Sequence, residues 1–308
     1  MKKLRLYFLL LLAFICGMLL FVGGPDKSTL RSLRYGWDLG HLVCFGLWSY
    51  LYLLWRGRRS FLRLSLEVLL LCLLFGAVTE LLQAQIGREA TIQDLGNDLV
   101  GGLLGLAFLP SGLTGSVRRW LWSYRLLVLL VVGWIIFPIA KMALDDVIAR
   151  QQFPLLSGFE TPLEVSRWGG SAFKTVSTGV AFSGKASLQV RFGTQRYSGV
   201  AFREFPRDWS GFARLGLEIF SPYRDSFKIY LRIHDQLHDN QYTDRYNRTV
   251  TLMPGWNEVD VSLQDVRRAP RTRQLDLSRV AEMVLFVGKL SAPRTVYIDN
   301  VALIPAGK

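Results

Sequence analysis

Between two apolar runs, the stretch GAVTELLQAQIGREATIQDLGNDLVGGLLG at residues 76–105 places Glu80, Gln83, Arg88, Asp94 and Asp98, groups that lipid-facing sequence excludes. Glu80 and Gln83 are three residues apart and Asp94 and Asp98 four apart, so on helices each pair shares a face. An earlier apolar run opens with a third pair at the same pitch, Asp38 and His41. Ionisable groups at membrane depth are costly and usually face a bundle interior, a partner or a water-filled cavity. Three uses are open to this set. Arg88, His41 and the hydrogen-bonding groups suit the phosphate of a membrane lipid or polyisoprenyl carrier, with carboxylates orienting the basic groups. His41, Glu80, Asp94 and Asp98 are also competent for acid–base chemistry or for a divalent cation. The third use is structural: Asp94 at a helix start caps exposed N–H groups for about 0.3–1 kcal/mol. Capping does not account for Glu80, at a helix end where the dipole opposes it. Glu67 stands alone near the opposite end of its run and reads as a partner for the interface or a loop arginine.

A second constellation lies in RIHDQLHDNQYTDRYNR, residues 232–248. His234, Asp235, Tyr242, Asp244, Arg245 and Tyr246 combine flat rings, which cover the apolar face of a pyranose, with charged groups that bind its hydroxyls. A solvated hairpin explains the same composition. His234 and His238 have the spacing of a zinc helix, but IYLRIHD reads as a strand entering a loop, where that spacing loses its meaning. No nucleophile elbow, zinc helix motif or phosphate loop occurs in the chain, and whether it is an enzyme stays open.

The elements that position these groups divide the 308 residues in two. Apolar residues make up 50% of the chain and sit almost wholly before residue 144. A basic start, MKKLR, leads into Leu4–Val22, read as an uncleaved anchor; the runs Leu39–Trp55, Leu62–Leu82, Leu95–Leu109 and Leu126–Ala143 follow. Each approaches the roughly 20 residues of a membrane span. Five transmembrane helices over residues 1–145 are the expectation. Arg56, Arg58, Arg59 and Arg63 in one loop, with Arg118, Arg119 and Arg125 before the last run, favour the cytoplasmic side. An odd number of crossings then exports residues 146–308 from a bacterial inner membrane and puts the three polar pairs at one outward depth. Cys16, Cys44 and Cys72 all fall in the runs, so the exported half contains no disulfide.

Residues 151–308 carry 21 basic and 15 acidic side chains, a surplus that suits anionic lipid or cell-wall polymer and gives no case for nucleic acid. Strand-like runs such as SLQVRF, RLGLEIF, FKIYLRI, NEVDVSL and TVYIDNVAL alternate with turn-rich pieces. About eight to ten strands predict a two-sheet jelly-roll sandwich, with an immunoglobulin-like sandwich as runner-up.

His41 with Phe45, Glu80-x-x-Gln83, Arg88, and Asp94 before a glycine-rich helix resemble the VanZ-like family of bacterial membrane proteins over residues 1–145. Two departures stand out. Trp37-Asp38 replaces the family's Asp-Lys pair, and Asp98, with Asn97 beside it, replaces an asparagine. The family takes its name from resistance to a glycopeptide antibiotic. SGFE at 157–160, SGKASLQV, PGWNEVDVSL and YIDNVAL resemble galactose-binding-like and carbohydrate-binding modules, including the family of complex I intermediate proteins. That resemblance implies a structural Ca2+ shared by Glu160 and Asp299, although hydrogen-bonded strand ends explain these residues equally. The combined expectation is an inner-membrane cell-envelope protein that recognises or handles an envelope glycan or its lipid-linked carrier. A membrane enzyme acting on a polyisoprenyl or phospholipid headgroup and a ligand-free scaffold are the alternatives.

Overall fold

The computed structural model describes residues 2–25, 29–56, 60–86, 92–108 and 115–306. It parts into two compact units, Met1–Ala143 and Leu144–Lys308. Helices build the first: α1 Lys2–Leu19, α2 Arg31–Trp37, α3 Leu39–Arg56, α4 Phe61–Gln85, α5 Ile92–Ala107 and α6 Gly115–Gln152, whose last residues fall in the second unit. α2 lies where the sequence reads as a loop.

α3 packs on α5 through glycines. A Cβ on Gly101 would sit 2.4 Å from the Leu42 carbonyl oxygen, and one on Gly105 would sit 2.8 Å from that of Gly46. Only bare backbone permits this approach, which is what the small-xxx-small spacing promises. Phe45, Leu64, Val68, Cys72 and Leu106 fill the core behind it. At its edge Glu67 accepts hydrogen bonds from Arg56, Arg63 and the Tyr52 hydroxyl.

Of the five runs that read as spans, two belong to helices long and apolar enough to cross a membrane among the described residues: Phe61–Gln85 and Trp120–Gln152. The count of five is therefore corrected. α1 has 18 residues and includes Lys2, Lys3 and Arg5; α3 has 18 and interleaves His41, Ser49 and Arg56. α5 has 16 and carries Asp94, Asn97 and Asp98. Leucine-rich runs of this kind resemble spans in hydropathy, but α1 carries three basic residues in its first turn, and α3 and α5 bury His41, Ser49, Asp94, Asn97 and Asp98.

The second unit is a β-sandwich of antiparallel strands. Its strands are β1 Leu155–Ser157, β2 Trp168–Gly170, β3 Phe173–Ser177, β4 Ser187–Phe192, β5 Tyr197–Phe202, β6 Phe212–Ser221, β7 Phe227–Asp235, β8 Tyr246–Leu252, β9 Gly255–Ser262, β10 Val280–Gly288 and β11 Arg294–Pro305, with α7 Leu263–Arg268 after β9. One sheet runs β3-β4-β11-β6-β9 with β1 added on β11; the other runs β2-β5-β10-β7-β8. Period-two alternation builds the interface between them. Ile229, Leu231 and Ile233 of β7, Leu285 and Val287 of β10, and Leu188, Val190 and Phe192 of β4 point into one core, which also holds Trp209 and Trp168.

The chain enters this unit through a buried ion pair. Arg167, 1% exposed, donates from Nε and Nη2 to Asp145, 2% exposed, and from Nη1 to the Leu156 carbonyl. Glu164 accepts from the backbone N–H groups of Gly158, Phe159 and Thr161 beside it.

Candidate functional sites

In the helical unit the packing of α3, α4 and α5 gathers the polar residues that the sequence spacing marks. His41 is 2% exposed. Its Nδ1 lies 2.9 Å from Oδ1 of Asp98, and its Nε2 lies 3.3 Å from the Gln83 amide nitrogen. That nitrogen also donates to the Leu20 carbonyl at 2.7 Å. With the amide as donor to Nε2, the imidazole proton sits on Nδ1 and faces the Asp98 carboxylate. Gly76 makes room: a Cβ there would be 2.6 Å from Asp98 Oδ2. Ligand atoms of His41, Glu80 and Asp94 lie within 4.8 Å of one another. Asp38 joins through its carbonyl, which accepts from the Asn97 side chain at 3.3 Å. Asn97 and Asp98 thus divide two tasks, one tying α5 to the start of α3 and the other orienting His41. Arg88 lies outside the described residues, as do Arg58 and Arg59.

In the β-sandwich, a cleft of about 930 Å³ opens over the five-stranded sheet. Three rings from three adjacent strands line it. Phe286 of β10 is 6.1 Å from Tyr197 of β5 and 5.3 Å from Tyr230 of β7, centroid to centroid. Register produces the row, because Phe286 pairs with Tyr230 on one side and Gly199 on the other. Gly199 is required there: a Cβ would meet that of Phe286 at 2.5 Å. Beside the rings, Glu282 accepts from Arg203 and Arg232. Burial works against a charged Glu282, but the two guanidinium groups outweigh it and hold the carboxyl below its ordinary value. Tyr242 and Arg245 line the same cleft, the guanidinium 5.4 Å from the ring centroid.

The remaining glycan candidates are placed elsewhere. Arg273 bridges Asp235 and Asp244, with Nη1 2.5 Å from Asp235 Oδ2 and Nε 2.6 Å from Asp244 Oδ1. Its hydrogen bonds hold the Asp244 carboxyl far below the carboxylate range. Burial opposes a charged Asp235, yet Arg273 and the Asp276 N–H still depress that carboxyl. Both aspartates are consumed by the scaffold of the loop. Tyr246 is half-buried and packs against the core. The His234 ring lies 4.5 Å from that of His238 at a tilt of 37°, and burial pushes its imidazole down to about 4. His238, Asp239 and Asp244 approach closely enough for a metal, but Arg273 already compensates Asp244 and opposes a second cation.

Sequence reading misses Tyr197, Tyr230, Phe286, Arg203, Arg232 and Glu282 because they come from strands far apart in the chain. A local signal exists. In FKIYLRIHD, Tyr230 and Arg232 occupy the face opposite the buried Ile229, Leu231 and Ile233.

Glu160 and Asp299, the implied calcium ligands, each hold backbone of one loop. Glu160 Oε1 accepts from the N–H groups of Lys185 and Ala186, and Asp299 Oδ2 from those of Phe182 and Ser183. Burial raises the Asp299 carboxyl above its ordinary value despite these bonds. One oxygen of each carboxylate is thus occupied by two N–H groups of the loop, the strand-end role that the sequence also allows these residues.

No protein-family profile and no curated protein matches the chain. Its β half is similar to a family 11 carbohydrate-binding module from Clostridium thermocellum, solved in complex with a β-1,3-1,4-mixed-linked tetrasaccharide. The identity is 19% and the TM-score 0.40, over 49% of this chain and 95% of the module. An exo-β-agarase is similar at 22% identity and TM-score 0.41, over 50% of this chain and 25% of the enzyme. An arabinose-bound α-L-arabinofuranosidase is similar at 15% identity and TM-score 0.37, over 49% of this chain and 26% of that one.

Proposed function

We propose that this chain is a membrane-attached protein that binds an envelope glycan in the cleft on its five-stranded sheet. The observation that carries this reading is the row Tyr197–Phe286–Tyr230, three rings in contact on an open face, flanked by arginines. Such a row offers apolar surface to sugar rings while the charged flanks offer hydrogen bonds to hydroxyls. The volume, about 930 Å³, lies within the range of ligand clefts. Attachment to a membrane is supported by α4 and α6. α6 exposes Leu126, Leu127, Leu130, Trp134 and Phe137, a surface that lipid covers at no cost in hydrogen bonds.

Tyr230→Ala is expected to weaken glycan binding about fivefold, since stacking contributes on the order of 1 kcal/mol, without changing the circular dichroism of the full-length protein. Wild-type protein that retains no glycan on a broad array overturns the reading.

A second reading concerns the helical unit and draws on its VanZ-like resemblance: the network of Gln83, His41 and Asp98 receives the headgroup of the glycan's lipid carrier. The buried, oriented imidazole favours it, because such groups within helical membrane bundles serve ligands or proton movement. Asp98→Asn removes the carboxylate that orients His41 and is expected to reduce the lipid that co-purifies in detergent, as read by mass spectrometry. Lipid unchanged in that variant and in His41→Phe would leave the network a packing device.

A further inference from the structure

The charge of the cleft narrows its ligand beyond the general class. Six cationic side chains line it, Arg196, Arg203, Arg232, Arg245, Arg248 and Lys289, against one carboxylate, Glu282. The sandwich half has no such bias: residues 151–308 carry 21 basic and 15 acidic side chains. Nearly all of that surplus is therefore focused on a single face. Glu282 is itself matched twice, by Arg203 and Arg232, so it adds no attraction for a cation.

The cations are also spread out. Arg196 and Arg203 flank β5, Arg232 lies on β7, Arg245 and Arg248 lie before and within β8, and Lys289 follows β10. In a sheet ordered β5-β10-β7-β8, they bracket the aromatic row instead of converging on one point. A lone phosphate would need convergence. A chain ligand with repeated negative charges uses the spread, meeting one cation after another while its sugar rings lie on Tyr197, Phe286 and Tyr230. Five of the six cations are arginine, whose planar fork binds carboxylate, sulfate or phosphate through paired hydrogen bonds. A neutral glucan would have to displace water from these charges and return only hydroxyls, a poor exchange.

We infer that the cleft selects a polyanionic glycan, one that carries carboxylate, sulfate or phosphate groups along its backbone. The inference rests on the glycan-binding reading. Nucleic acid is the other polyanion with flat groups and is an outcome of the test, because bases as well as sugars stack on exposed rings; Phe286 touches Tyr197 and Tyr230 at tilts of 72° and 30°.

The test is calorimetry on full-length protein in detergent with polygalacturonate, heparin, a glycerol-phosphate polymer, neutral mixed-linkage β-glucan and oligo(dT). Binding of at least one anionic polysaccharide at least tenfold more tightly than the neutral glucan is expected, and the arm that binds identifies the anion. Affinity should fall about tenfold as salt rises to roughly 0.3 M, because the contacts are exposed charge pairs. Arg196→Gln combined with Lys289→Gln should weaken the anionic ligand severalfold, while Tyr230→Ala weakens every glycan that binds. Equal, salt-independent binding of the neutral glucan overturns the polyanion inference and leaves the glycan reading standing. Tightest binding of oligo(dT), or binding of no polymer at all, overturns both.

Discussion

Asp145→Ala lowers the unfolding free energy of the β-sandwich by about 3–5 kcal/mol, the range for removing one partner of a buried ion pair. Asp145 and Arg167 are 2% and 1% exposed, and the guanidinium reaches both carboxylate oxygens. Alanine leaves the cation buried, with the Leu156 carbonyl and a more distant Glu164 as its nearest acceptors. For a unit of this size the loss is a fall of about 10 °C or more in Tm. The same reasoning applies to where the sandwich can be cut. A fragment of residues 144–308 keeps Asp145, whereas one of residues 150–308 discards it with the end of α6, although both retain every strand. Differential scanning fluorimetry should find the shorter fragment less stable by a similar amount. Fragments of equal Tm would show that Arg167 finds another acceptor and that the pair only decorates the start of the sandwich.

The contrast between the two halves shows what sequence conveys. In the helical half, spacing marks His41, Gln83 and Asp98, because helical pitch puts residues three and four apart on one face, and the packing that the glycines of α5 permit joins them into one network. Membrane crossing was harder to read, since a leucine-rich helix that buries polar groups and one that faces lipid have similar hydropathy. In the sandwich, alternation identifies strands and the inward residues such as Ile229 and Leu231. It does not say which strand lies beside which. Tyr197, Phe286 and Tyr230 become a row only through the order β5-β10-β7, and that order depends on pairings between segments far apart in the chain. Composition misled at residues 232–248 for a related reason. Asp235 and Asp244 look available as long as Arg273 is merely a distant residue; folding makes it their partner.

Arg273→Ala should cost about 3 kcal/mol at neutral pH, since it strands two nearly buried carboxylates at once, and the cost should depend on pH in a direction that can be worked out. Arg273 holds Asp244 well below its ordinary value and outweighs burial at Asp235. A carboxylate with a depressed folded-state pKa contributes stability above its unfolded value, near 4, and that contribution is lost as pH falls through the folded value. His234 acts in a different window. Burial keeps it neutral down to about 4, while in the unfolded chain it gains a proton near 6.5. Wild-type stability should therefore decline first between about 6.5 and 4 through His234, then further below 4 through the two aspartates. In Arg273→Ala the first decline persists. The second disappears, because without the guanidinium burial raises the carboxyl pKa values and protonation relieves their isolation. The gap between wild type and variant should be widest near neutrality and narrow below about pH 4, as followed by urea unfolding at each pH. A gap that stays constant across this range would mean that Arg273 stabilises by packing its side chain over the loop, and the ion-pair account of Asp235 and Asp244 would fail.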